Sequence, residues 1–106
     1  MNTKKSPVEL SQSTIQSIEE ICSLLSEIND EKLIFDFFGC LFSKSELQDF
    51  GNRWNLVKEL DAGTTQREIA KKYSMSLCNI TRGSKELKKD DSAFRKVLDI
   101  LKSRRS

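Results

Sequence analysis

The chain has 106 residues, of which 32% are charged and 37% hydrophobic, and its formal net charge is +2. This length suits one domain with a single modest core, and the composition favours a small helical protein over a disordered one. No apolar run approaches the ~20 residues that a membrane-spanning helix needs, and the N-terminus lacks the apolar segment of a secretory signal. We therefore expect a cytoplasmic protein without a membrane partner.

Histidine is absent, and the three cysteines are Cys22, Cys40 and Cys78. Zinc sites that combine Cys and His are therefore excluded, which leaves only a three-thiolate arrangement, and Ser–His and Cys–His nucleophile pairs are excluded as well. The sequence shows no phosphate loop or metal-ligand cluster, so we expect neither an enzyme nor a metalloprotein. The cysteines are expected to be reduced and to pack as small apolar residues.

Helical periodicity runs along the whole chain, with one proline and no sustained alternating strand pattern. Apolar residues at three- and four-residue steps predict a first helix over about 10–28 and a second over about 31–41. The second helix has a wide apolar face, which predicts burial on more than one side, as between two chains. That face consists of Leu33, Ile34, Phe37, Phe38 and Leu41.

The third and fourth helices each begin with a capping-box pattern, at Ser43–Glu46 and at Thr65–Glu68. Gly63 ends the third helix, and the fourth runs to about Tyr73. The last helix is preceded by a turn at 74–76, a helix over about 77–89 and a break at 90–92. The apolar stripe of the third helix is Leu47, Phe50, Trp54, Val57 and Leu60, with Trp54 expected in the core.

The predicted organisation is all-α, with six helices in a single domain over 1–106. Dimerisation helices occupy 10–62, a helix-turn-helix occupies 64–89, and a C-terminal helix occupies 92–102. The ends, 1–6 and 103–106, are expected to be disordered.

Charge is divided unevenly along the chain. Residues 1–52 carry four lysines and nine acidic residues, a net charge of −5, whereas residues 53–106 carry fourteen basic and seven acidic residues, a net charge of +7. A basic half joined to an acidic half is typical of a nucleic-acid-binding unit attached to a scaffold. A solvated helix surface gives the same count, so charge alone leaves both interpretations open.

The segment 66–85, QREIAKKYSMSLCNITRGSK, fits a helix-turn-helix. Ala70 supplies the small residue where two helices cross, and polar residues occupy the outward faces of the second helix. Ser74 departs from the glycine that often begins the turn, because serine adopts a left-handed conformation only at some cost. The alternative is a purely structural hairpin. The inner face is predicted to hold Ile69, Tyr73, Met75, Leu77 and Ile80.

Several short stretches closely resemble the tryptophan (Trp) repressor family. They are TQREI at 65–69, ITRGS at 80–84 with Leu87-Lys88, and FGNR at 50–53 continuing through Val57, Glu59-Leu60 and Gly63. The likeness covers about residues 31–102. It implies an intertwined homodimer that binds L-tryptophan as co-repressor, with no other cofactor, and then binds duplex operator DNA of tryptophan biosynthesis or uptake genes.

The resemblance also implies a ligand site. In the family two arginines hold the indole ring, a hydroxyl faces the ligand carboxylate, and backbone carbonyls receive the ammonium across the dimer. The corresponding positions are Arg53, Arg82, Gly83, Ser43, Cys40, Phe42, Asn79 and Glu86. Asn79 and Glu86 stand where the family has small hydroxyl residues, and Cys40 replaces an aliphatic residue, so a related indole stays open as the ligand. Glu86 can pair either with a ligand ammonium or with Lys89.

For DNA, the helix-turn-helix places the start of its first helix against phosphates and the start of its second helix against base edges. The DNA-contacting positions are Gln66, Arg67, Leu77, Cys78, Asn79, Thr81, Arg82, Ser84, Lys85 and Lys88. Two alternatives stay open beside a ligand-dependent repressor: a ligand-independent helix-turn-helix DNA-binding protein, and a helical adaptor whose basic half binds an acidic protein.

Overall fold

The computed structural model describes residues 9–104, and these contain six α-helices and no strand, which confirms the all-α fold class. The helices are α1 (Gln12–Glu27), α2 (Glu31–Leu41), α3 (Lys44–Asp61), α4 (Gln66–Tyr73), α5 (Leu77–Lys88) and α6 (Ala93–Arg104). Helix α6 includes Ser103 and Arg104, which the sequence placed in a disordered end. Residues 1–6, 105 and 106 of the predicted disordered ends lie outside the described residues.

Side-chain caps explain where α3 and α4 begin. Ser43 Oγ accepts the Glu46 N–H at 3.1 Å, and Glu46 Oε1 accepts the Ser43 N–H at 2.8 Å. Thr65 and Glu68 repeat this arrangement at the start of α4. Both predicted capping boxes are therefore confirmed. Gly63, with φ of +91°, turns the chain after α3 in the left-handed region that glycine adopts without strain.

The chain divides into two compact units, residues 1–41 and residues 42–106. In the first unit, neither α1 nor α2 contains a buried residue. Three large apolar side chains of α2 are exposed, Leu33, Phe35 and Leu41, whereas Ile34, Phe37 and Phe38 are half-buried. Among residues 9–104, no helix combines the length and the apolar character that crossing a membrane requires.

In the second unit, a small core joins α3, α4 and α5. Leu56, Ile69 and Ile80 are buried at its centre, and four residues pack around them: Leu60, Ala70, Tyr73 and Met75. Gly83 of α5 lies against Leu56 so closely that an added Cβ would be 2.9 Å from Leu56 Cδ2. Glycine therefore allows α3 and α5 to approach each other at this point.

Two packing predictions are wrong. Leu77, predicted on the inner face of the helix-turn-helix, is 59% exposed, whereas the other four predicted inner-face residues form the core or pack against it. Cys22, Cys40 and Cys78, expected as apolar packing residues, are free and exposed.

Candidate functional site

The second unit contains an open cavity of about 430 Å³ formed by α3, α5 and α6. Arg53 comes from α3 and Arg82 from α5, so the two arginines implied by the resemblance line one space. The full lining is Arg53, Leu56, Asn79, Arg82, Gly83, Glu86 and Phe94. The structure thus brings together five of the eight predicted ligand positions.

The chemistry of this lining suits a flat aromatic ligand that carries an acid group. Guanidinium groups stack on aromatic faces, and their planar array of donors pairs with a carboxylate. Leu56 and Phe94 add apolar surface, and Gly83 contributes no side chain to fill the space. Glu86 adds a carboxylate to the same lining, but its Oε2 is already paired with Lys89 Nζ at 2.7 Å.

The structure adds two lining residues that sequence reasoning missed, Leu56 and Phe94. Leu56 lies three residues after Arg53 on α3, so helical spacing placed it on the same side of the helix. Phe94 carried no comparable signal, because its place in the lining depends on how α6 packs against α5.

Three predicted ligand positions lie outside this lining. Ser43 is the N-cap of α3, and its hydroxyl oxygen accepts the Glu46 N–H. The ring of Phe42 stacks on that of Phe50, with 5.4 Å between the centroids. Cys40 is an exposed residue of α2, in the first unit.

The helix-turn-helix has the local geometry that its sequence predicted. Ser74 adopts the left-handed conformation, with φ of 52° and ψ of 42°, despite not being glycine. The Met75 N–H donates to the Ala70 carbonyl at 3.1 Å, which closes the turn. Ser76 then caps α5 by accepting the Asn79 N–H at 3.2 Å.

Most predicted DNA contacts are accessible on this unit. Gln66 and Arg67 occupy the first turn of α4, and Leu77, Cys78 and Asn79 occupy the first turn of α5. The exposed members of the set are Gln66, Arg67, Leu77, Cys78, Asn79, Thr81, Arg82, Lys85 and Lys88. Ser84 differs from the other members of the set, because it is buried with 9% exposure.

Two carboxylates of α3 attach the neighbouring helices, and sequence reasoning missed both. Glu59 accepts hydrogen bonds from Lys72, Thr64 and Tyr73, and these donors lower its pKa to about 2. Asp61 pairs with Lys102 at 2.8 Å and with Arg95 at 2.9 Å, both on α6, and these pairs lower its pKa as well. Except for Thr64, the partners lie at least 13 residues away in sequence, so no local pattern revealed them.

Comparison with known proteins shows the family to which the chain is similar. The family described as "Trp repressor protein" matches residues 16–102. A "Trp operon repressor homolog" of Chlamydia trachomatis serovar D is 42% identical over 77 residues, which cover 72% of this chain and 82% of the relative. One of Xylella fastidiosa strain M23 is 33% identical over 76 residues, covering 68% of this chain and 79% of the relative. No solved structure gives a significant match.

Proposed function

The chain belongs to the Trp repressor family and is a transcriptional repressor, not an enzyme; from this premise we propose that L-tryptophan is its co-repressor. We further propose that the loaded protein binds operator DNA of tryptophan biosynthesis or uptake genes as a homodimer.

One observation carries the ligand proposal: Arg53 of α3 and Arg82 of α5 line the same cavity. An indole ring between two guanidinium planes makes favourable contacts on both faces, and either arginine can also pair with the ligand carboxylate. Because Arg82 belongs to the second helix of the helix-turn-helix, a ligand held there contacts α3 and the DNA-reading helix at once.

The DNA proposal rests on the exposed surface of α4 and α5. The N-terminal turns of both helices are open, and α5 presents Thr81, Lys85 and Lys88 beyond its first turn. Basic side chains at such positions neutralise phosphates, and residues of the first turn reach base edges in the major groove. We leave Ser84 out of the proposed contacts because it is buried.

The homodimer proposal rests on α1 and α2. Both helices lack buried residues, and α2 exposes Leu33, Phe35 and Leu41 by 49% or more. Several large apolar side chains exposed on one helix are typical of a subunit interface. A twofold dimer would present two copies of α5 to successive major grooves, which lie about 34 Å apart, as in helix-turn-helix dimers that include the Trp repressors.

A calorimetric titration of the full-length protein with L-tryptophan, in the absence of DNA, tests the ligand proposal. We expect one saturable site per chain in the wild type and loss of measurable binding in Arg82→Ala, because one wall of the cavity is removed. Normal tryptophan binding by Arg82→Ala would show that the site is assigned wrongly.

Lys88→Ala is the matched control, since it removes a basic residue of the same helix that lies outside the cavity lining. We expect it to bind tryptophan like the wild type. It should weaken binding to all duplexes about equally and flatten the salt dependence by roughly one unit of slope, as for one lost phosphate contact.

A further inference from the structure

Glu59 receives hydrogen bonds from three residues outside its own helix. Thr64 Oγ1 donates to Oε1 at 2.7 Å, while Lys72 Nζ and Tyr73 Oη donate to Oε2 at 2.6 and 2.9 Å. Thr64 belongs to the loop after α3, and Lys72 and Tyr73 form the last turn of α4. Oε2 therefore attaches the last turn of α4 to α3, and Oε1 attaches the loop that leads into α4. We call Glu59, Thr64, Lys72 and Tyr73 the α3–α4 brace.

The brace lies at the edge of the core and is partly shielded from water. The Glu59 side chain is 19% exposed, and Tyr73 packs against the buried cluster of Leu56, Ile69 and Ile80. Lys72 Nζ also lies 5.5 Å from the centre of the Tyr73 ring. Charge-assisted hydrogen bonds in such a setting are stronger than neutral ones. The pKa of Glu59, lowered to about 2 by these donors, keeps its carboxylate ionised at neutral pH.

The brace and the cavity lie at two separate places between the helix-turn-helix and α3. The brace holds the last turn of α4, directly before the left-handed Ser74. The cavity lies between α3 and α5, and its lining contains none of the four brace residues. Helices α4 and α5 share the Ile69–Ile80 core, so fixing α4 also restrains α5.

We infer that Glu59 is a positioning residue that holds the helix-turn-helix against α3 before any ligand binds. The DNA-reading helix is then partly ordered without tryptophan. The gain in DNA affinity on ligand binding is therefore smaller than it would be if the helix-turn-helix were loosely attached. This inference rests on the proposed function for its effect on DNA binding, but not for its effect on α4.

Amide hydrogen exchange of the full-length protein without ligand tests the brace directly. Glu59→Gln preserves the shape of the side chain but removes its charge and replaces one acceptor oxygen with a donor. We expect exchange in α4 and in residues 74–76 to quicken, by about threefold or more. Asp61→Asn is the matched control, because Asp61 pairs with α6 and not with α4. Equal exchange in α4 of wild type and Glu59→Gln would overturn the inference.

A second measurement compares operator affinity with and without saturating L-tryptophan, using a duplex that the wild-type protein selects from a random-sequence library. We expect the ratio of the two affinities to be at least about threefold larger in Glu59→Gln than in the wild type. The increase comes from weaker binding without ligand. Asp61→Asn loosens α6 but leaves the brace intact, so it should not enlarge the ratio as Glu59→Gln does.

Tyr73→Phe provides a milder variant, because it removes a single hydroxyl donor and keeps the packed ring. Its ratio should change in the same direction as that of Glu59→Gln. If the wild type binds tryptophan and the duplex but the ratio is unchanged in both variants, the inference is overturned and the proposed function stands. A wild type that binds neither would overturn the proposed function, and hydrogen exchange would still decide whether the brace orders α4.

Discussion

Arg82 illustrates how one side chain can serve two surfaces. It lines the cavity with Arg53, and it also lines an outer depression of α5 beside Leu77 and Lys85. The resemblance predicted its place in the ligand site, and the helix-turn-helix pattern predicted its place on an outward face of α5. The sequence could not supply Glu59, whose partners lie five to fourteen residues away, because their encounter depends on the crossing of α3 and α4.

Protonation of Glu59 is the residue-scale event that acid should reveal. Its pKa is about 2 in the folded chain against an ordinary value of 4.5, so its ionised form stabilises the fold above about pH 4.5. That stabilisation is lost as the pH falls toward 2. We expect the melting temperature of the wild type to exceed that of Glu59→Gln by a constant interval near neutral pH. This interval should shrink below about pH 4.5.

Thermal unfolding of both proteins from neutral to acidic pH provides the measurement. Protonation of Asp61, whose pKa is also lowered, destabilises both proteins in acid. Its effect therefore cancels in the difference between their melting temperatures. An interval that stays constant down to about pH 3, or widens, would contradict the account of Glu59.

At the scale of elements, local signals predicted the helices well and their packing less well. Caps at Ser43 and Thr65 and the turn at Ser74 are short-range features, and each is confirmed. Burial depends on neighbours from elsewhere in the chain. Helical periodicity therefore gave no warning that Leu77 is exposed or that Ser84 is buried.

The close crossing of α3 and α5 gives an element-scale prediction. Gly83→Ala would place a Cβ 2.9 Å from Leu56 Cδ2, so either Leu56 or the helix must shift. Overpacking a core costs about 1–3 kcal/mol, and the better helix propensity of alanine offsets roughly 1 kcal/mol of it, so we expect a net loss of up to about 2 kcal/mol in the free energy of unfolding. Denaturant titration measures this loss.

Gly51→Ala is the control, since Gly51 is also helical but has no atom within 4 Å of an added Cβ. Alanine should be neutral there or should stabilise the helix by roughly 0.5–1 kcal/mol. Equal effects of the two substitutions would contradict the proposed crossing.

At the scale of the whole molecule, the uncovered apolar faces of α1 and α2 predict association. We expect sedimentation at micromolar concentration to give about twice the 12.2 kDa chain mass. The apparent stability should also rise with protein concentration, because unfolding and dissociation are then linked. A folded monomer at micromolar concentration would contradict the homodimer.

In the proposed mechanism, ligand and operator stabilise the same arrangement of α3 and α5. Linkage then requires that each tightens the binding of the other by the same factor. The charge division along the chain is consistent with a basic reading unit, but it does not distinguish a ligand-dependent repressor from a ligand-independent one.

One measurement distinguishes them most directly: an anisotropy titration of the selected duplex at fixed salt, with and without saturating L-tryptophan. We predict that tryptophan tightens binding by at least about fivefold, the low end of typical coupling, and that the duplex-bound protein binds tryptophan more tightly by the same factor. Weaker binding with tryptophan would make the ligand an inducer. Equal duplex affinity with and without tryptophan would contradict the co-repressor mechanism and favour a ligand-independent DNA-binding protein.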